Sequence, residues 1–230
     1  MSTFLSSAQA LSQEITSLVH LPEPFDSLFP NGIIPGSSVL IKGETGGASS
    51  IALSILAKMS AKGNWCCVVS MPWITLEVAY TMGANLENIA VLDCIPTKIP
   101  QVISHILPAT SLVLIDAEYL FSMKNLKLLL SKARNTTTII IASINPIKAF
   151  SCNLNSADFS RNSSFMPDYS ITAVKSYWDS LNRSKRVLNR HVTIESGGRR
   201  THGLRIRKDF LLPSETGEAV LLRDQGLVEL

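Results

Sequence analysis

Apolar residues recur along this chain in short, dense runs separated by polar breaks that carry glycine or proline. Phe4, Leu5, Ala8, Leu11, Ile15 and Leu18 fall at helical spacing, so residues 4–19 read as an amphipathic helix. The stretch from Leu21 to Phe25 carries two prolines and breaks it, and Pro30 to Gly36 reads as a turn. From there the pattern alternates. Apolar, often β-branched runs at 38–42, 65–69, 89–92, 112–116 and 137–141 predict strands. Stretches at 49–62, 75–82, 100–107 and 124–133 predict helices between them. Strands that are apolar on both faces and joined by helices predict a parallel sheet covered on both sides, with right-handed crossovers.

The pattern changes near residue 150. Residues 151–168 are rich in Ser, Asn and Asp and read as an exposed loop. Beyond it, 169–177, 190–196 and 204–211 read as strands, with Gly197-Gly198 as a hairpin turn. These strands are expected to join one edge of the same sheet, antiparallel. Residues 221–230 read as a last strand or a tail. The expected organisation is an N-terminal helix (1–20), an α/β core (21–150) and a basic, β-rich extension of the same domain (151–230).

Composition supports one folded core. Of 230 residues, 46% are hydrophobic and 17% charged, which excludes a disordered chain. No apolar run approaches the length of a membrane span, and the N-terminus lacks the basic and apolar regions of a signal peptide, so a cytoplasmic protein is expected. The four cysteines (66, 67, 94 and 152) form no CxxC pair and read as reduced thiols. Neither they nor the four histidines have metal-site spacing. The net charge of +3 is unevenly spread. Residues 175–208 hold ten Lys or Arg and two acids, about +8, which leaves 3 − 8 = −5 for the rest. A basic late segment on an acidic body fits a polyanion or an acidic partner.

The segment after the first predicted strand carries the candidate chemistry. A phosphate loop follows its strand with Gly-x-x-x-x-Gly-Lys-Ser/Thr and opens a helix. Its amides and helix dipole hold phosphates, its lysine reaches the β- and γ-phosphates, and its hydroxyl holds Mg²⁺. Here the stretch is Gly43, Glu44, Thr45, Gly46, Gly47, Ala48, Ser49, Ser50. Ala48 replaces the second glycine, Ser49 the lysine, and Ser50 keeps the magnesium hydroxyl. Losing the lysine removes several kcal/mol of transition-state stabilisation, while ATP or ADP affinity can survive on amides alone. Asp116 ends the fourth predicted strand as a second Mg²⁺ contact would. Glu118 shares its face if the strand continues, or else is a turn residue. Lys42, or an arginine from another copy, is the candidate replacement for the lysine.

Order and spacing around this loop resemble the RecA family over residues 25–120. Phe25 to Leu28 with Gly32 to Gly36 resembles the lead-in to the RecA phosphate loop. Leu76 to Ala90 is similar to RecA's helix, turn and strand after its second strand, and Leu112 to Asp116 takes the Walker-B place. The resemblance implies a three-layer RecA-like P-loop fold with a mostly parallel central sheet. RecA also carries a water-activating glutamate after its second strand, where this chain has Ser70, Met71, Pro72 and Trp73. Two catalytic groups are therefore absent together, the pattern of a pseudo-ATPase. The whole-chain layout resembles the actinobacterial ImuA-type RecA paralogues. That resemblance implies a non-catalytic accessory role in damage-induced (SOS) translesion DNA synthesis. The implied partners are a Y-family-like protein and an error-prone replicative polymerase, with RecA and single-stranded DNA as further ones. An active DNA-stimulated ATPase and a DNA-binding module without enzymology are the alternatives.

Other features stay open. Arg183, Lys185, Arg186, Arg190, Arg199, Arg200, Arg205 and Arg207 are candidates for DNA or partner contact, or form a solvated basic face. Tyr177 and Trp178 stack bases, or Trp178 packs in the core. The N-terminal helix docks on a second protein or on its own core. Ser143 to Asn145 is either a phosphate sensor or loop chemistry.

Overall fold

The structure is a computed structural model. It describes residues 18–43, 47–122, 126–144, 166–180, 187–212 and 220–227. The expected N-terminal helix falls almost wholly outside these residues. At its end Val19 is already extended and bridges Ile33 antiparallel.

Nine strands form one sheet among the described residues. They are β1 (Ser38–Gly43), β2 (Cys66–Val69), β3 (Ile89–Leu92), β4 (Leu112–Asp116), β5 (Ile139–Ser143), β6 (Tyr169–Ser180), β7 (Val187–Gly197), β8 (Ile206–Leu211) and β9 (Val220–Leu227). Their order is β3-β2-β4-β5-β1-β6-β7-β8-β9. The first six run parallel to one another and the last three add antiparallel. Strand β6, expected to join antiparallel, instead extends the parallel part beside β1, and the antiparallel pairing begins at β7. The helices are α1 (Ala48–Ala61), α2 (Leu76–Thr81), α3 (Ile99–Ile106), α4 (Ala117–Ser122) and α5 (Leu126–Thr136).

Strand alternation feeds two cores. Val39 and Ile41 of β1 face one core with α1, where Ile51, Ile55 and Leu56 are fully enclosed. Leu40 faces the other, with Ile99 and Ile103 of α3 and Leu129 and Leu130 of α5. Cys66 and Cys67 split between the two, as adjacent strand residues must. Burial pushes their thiols up to about 12 and about 11, so they remain protonated and inert. Each enclosed large side chain contributes roughly 1.5–3 kcal/mol. The first core runs on under β6 to β8 through Ile171, Ala173, Val192, Ile194 and Phe210, so the C-terminal strands share it.

Several boundaries differ from the sequence reading for local reasons. β5 starts at Ile139 because Thr137 is left-handed (φ 60°) and buried Thr138 donates its hydroxyl to the Leu107 and Thr110 carbonyls. The chain after Asp116 turns at once into α4, so Glu118 is helical rather than on a continuing strand. Gly197-Gly198 is not a two-residue hairpin turn. A single 3-10 turn, Arg199–Thr201, and left-handed His202 extend the connection to β8.

Candidate functional site

The candidate loop sits where the parallel sheet ends. β1 finishes at Gly43, and Glu44, Thr45 and Gly46 lie outside the described residues. Gly47 is left-handed (φ 98°) at the N-cap of α1, a conformation that favours glycine. It offers no side-chain cap, and no acid occupies the first turn, so the amides there keep their positive potential. Ala48 is buried, while Ser49 and Ser50 are half-buried at the start of the helix. A serine hydroxyl in the lysine place carries no charge.

Asp116 lies two strands from β1, with β5 between. Ile41, Ser143 and Asp116 stand in one register row and therefore on one face, that of α1. Asp116 is almost wholly buried, at 4% exposure. Its Oδ1 accepts the Glu118 N–H at 2.9 Å, which starts α4. Its Oδ2 accepts the indole N–H of Trp73 at 3.2 Å. Trp73 comes from the stretch after β2, where the sequence comparison sought a carboxylate. The indole therefore occupies an acceptor on the carboxylate that a magnesium site would draw on. Beside it, the Ser143 hydroxyl is fully buried and has no hydrogen-bond partner among the described residues. Lys42 lies on the opposite face from Ile41, beside Ser170 and Thr172. It is turned away from the Asp116 face. Ser49, Trp73 and Lys42 so placed do not fit a hydrolytic magnesium–nucleotide site.

The basic candidates are distributed differently from what their sequence clustering implies. Arg199 and Arg200 both donate to Oδ1 of buried Asp168, at 2.5 and 3.1 Å. Oδ2 accepts the N–H and hydroxyl of Ser38, each at 3.1 Å. Burial raises the Asp168 carboxyl, but the Arg199, Ser38 and Arg200 donors outweigh it and hold the group below 3.8. Arg205 and Arg207 both pair with Glu195. Arg190 donates to the Ser176 hydroxyl and lies 5.2 Å from the Trp178 ring. Trp178 is 53% exposed and is not a core residue. Arg183, Lys185 and Arg186 lie outside the described residues. No group of three or more His, Cys, Asp or Glu positioned for a metal occurs among the described residues.

Sequence reading missed Trp73 as a partner of Asp116 and Asp168 as an anchor. Trp73 carried a usable signal, a large polar-tipped side chain at the carboxyl edge of a parallel strand. Asp168 carried none, lying among the Ser, Asn and Asp of a loop-like stretch.

The nine-stranded, mostly parallel sheet with antiparallel C-terminal strands is a RecA-like fold. Residues 27–148 match the family model described as the MT3502 N-terminal domain, more than half of the chain. The chain belongs to that family. No curated protein matches it in sequence. Among solved structures it is similar to the flagellar accessory protein FlaH from Methanocaldococcus jannaschii, at 11% identity and a TM-score of 0.55. That likeness covers 90% of this chain and 100% of the other, and it shows the RecA-like fold. No helix among the described residues is long and apolar enough to cross a membrane.

Proposed function

We propose that this protein is a non-catalytic RecA-like accessory protein of DNA repair, working in the cytoplasm in damage-induced translesion synthesis. In this reading it acts by contact, joining a Y-family-like protein and an error-prone replicative polymerase, with RecA and single-stranded DNA as further partners. The observation that carries the non-catalytic part is the Trp73 indole on Asp116, combined with Ser49 in the lysine place. The orientation of Lys42, away from the α1 face, weighs against the alternative of an active ATPase with a substitute lysine. The polymerase partners rest on the resemblance of the sequence layout to ImuA-type proteins. Within this reading the phosphate loop is an architectural remnant that sets the start of α1.

The test is ATP turnover by the purified chain, with and without single-stranded DNA. Turnover is expected at background and unchanged by Asp116→Ala, with wild-type protein co-purifying with its polymerase partners. DNA-stimulated hydrolysis abolished by Asp116→Ala overturns the proposal.

A further inference from the structure

The extension built from β6 to β9 has two faces. One packs on the α1 core. The other carries a row of polar and aromatic side chains, fixed by strand register. Tyr177 pairs with His191, Lys175 with Thr193, and Thr172 with Glu195, while Glu195 also pairs with Arg207.

Two hollows lie end to end on this outer face. One, about 340 Å³, includes Lys42, Ser170, Thr172, Arg205 and Arg207 in its lining. The other, about 510 Å³, includes Lys175, Tyr177, His191, Thr193 and Arg207. Both are lined by Val174 and Arg207, so they form one trough. From Ser170 to Tyr177 it runs roughly 23 Å, at about 3.3 Å per strand residue.

The chemistry of the trough is specific. Tyr177 and His191 stack with ring planes 3° apart and centroids 4.7 Å apart, and Tyr177 is half exposed. The Lys175 ammonium lies 5.9 Å from the Tyr177 ring. Four cations (Lys42, Lys175, Arg205 and Arg207) face two acids, Glu195 and Asp209. Glu195 fixes both arginines at once, which holds their guanidinium groups in place with donors to spare. The Nε of Arg207, enclosed where the hollows meet, has no hydrogen-bond partner among the described residues. Ser170, Thr172 and Thr193 add hydroxyls, that of Thr193 donating to Asp209, and Val174 and Leu222 add apolar side chains.

We infer that the outer face of β6–β8 is a single-stranded nucleic acid site, with the Tyr177–His191 stack as base platform and Lys42, Lys175 and Arg207 along the phosphates. A flat π-stack with positive charge along a groove is the arrangement that holds unpaired bases without sequence preference. An acidic peptide would use the cations but not the stack. The inference does not depend on the phosphate loop. It rests on the single-stranded DNA partner of the preceding proposal. ATP turnover would sink the non-catalytic part of that proposal and leave this site standing, whereas loss of DNA affinity would sink this site and the DNA contact and leave the polymerase contacts.

Fluorescence anisotropy of labelled oligo-dT with the full chain tests it. Binding is expected to weaken with salt, by a log–log slope of about 0.7 per neutralised phosphate. Tyr177→Ala is expected to weaken binding about 5- to 150-fold, and Tyr177→Phe to retain it. Should Tyr177→Ala fail to fold by circular dichroism, the double variant Lys42→Gln/Lys175→Gln replaces it. Its expected result is weaker binding and a salt slope shallower by about 1.4. No binding of oligo-dT by the wild type at low salt overturns the inference. So does full affinity in the variant that folds, or poly-glutamate bound as tightly as oligo-dT.

Discussion

A carboxylate taken out of water must be given donors, and Asp168 receives four hydrogen bonds from Ser38, Arg199 and Arg200. The cluster ties the start of β1 to the loop between β7 and β8. Asp168→Asn would leave two guanidinium groups without their charge partner, and the expected loss of unfolding free energy in urea is about 2–3 kcal/mol. An unchanged midpoint would show the cluster to be decorative. Its pH dependence follows from the direction of the shift. The folded carboxyl titrates below the ordinary 3.8, so the stabilisation is complete above that value. It is lost as pH falls through the lower folded-state value, and the Asn variant should lack this acid-side decline. At the same scale, Trp73 shows how one side chain changes the meaning of another, because Asp116 keeps its place while the indole takes its acceptor.

Elements meet closely where glycine permits it. Gly36 is left-handed (φ 72°), and a Cβ there would lie 2.3 Å from the Arg134 Cα and 2.7 Å from the Ala133 carbonyl. Both are backbone atoms near the end of α5, so nothing flexible can yield. Gly36→Ala combines backbone strain with overlap and is expected to cost about 3 kcal/mol or more, seen as a large fall in melting temperature. A near-normal melt would mean that the approach of β1 to α5 is looser than this geometry. Strands β1 to β5 and the helices α1, α2, α3 and α5 were legible in the sequence, because burial on both faces leaves uniform apolar runs, whereas the parallel pairing of β6 with β1 was not. Less legible were α4, the late start of β5 and the 198–205 connection. Each is set by hydrogen bonds to particular neighbours, such as Thr138 to Leu107, which leave no periodic mark.

At the scale of the whole molecule, β6 lies against β1, and the two share one core under α1. Removing residues 166–230 would strip the β6 side of β1 and uncover Ile41 and the start of α1. A 1–165 fragment is therefore expected to lack a cooperative thermal transition and near-UV circular dichroism. A fragment that melts cooperatively would show instead that the extension is a separate unit.

Apolar runs and the order of elements determined the RecA-like fold class, because those properties depend on residues close in the chain. Tertiary structure alone decided which charges meet. Arg199 and Arg200 look free in the sequence, yet are bound to a carboxylate 31 and 32 residues away. Tyr177 and His191 become one stacked surface only through antiparallel register. Partners brought together by sheet pairing have no fixed sequence spacing, so no local pattern could announce them.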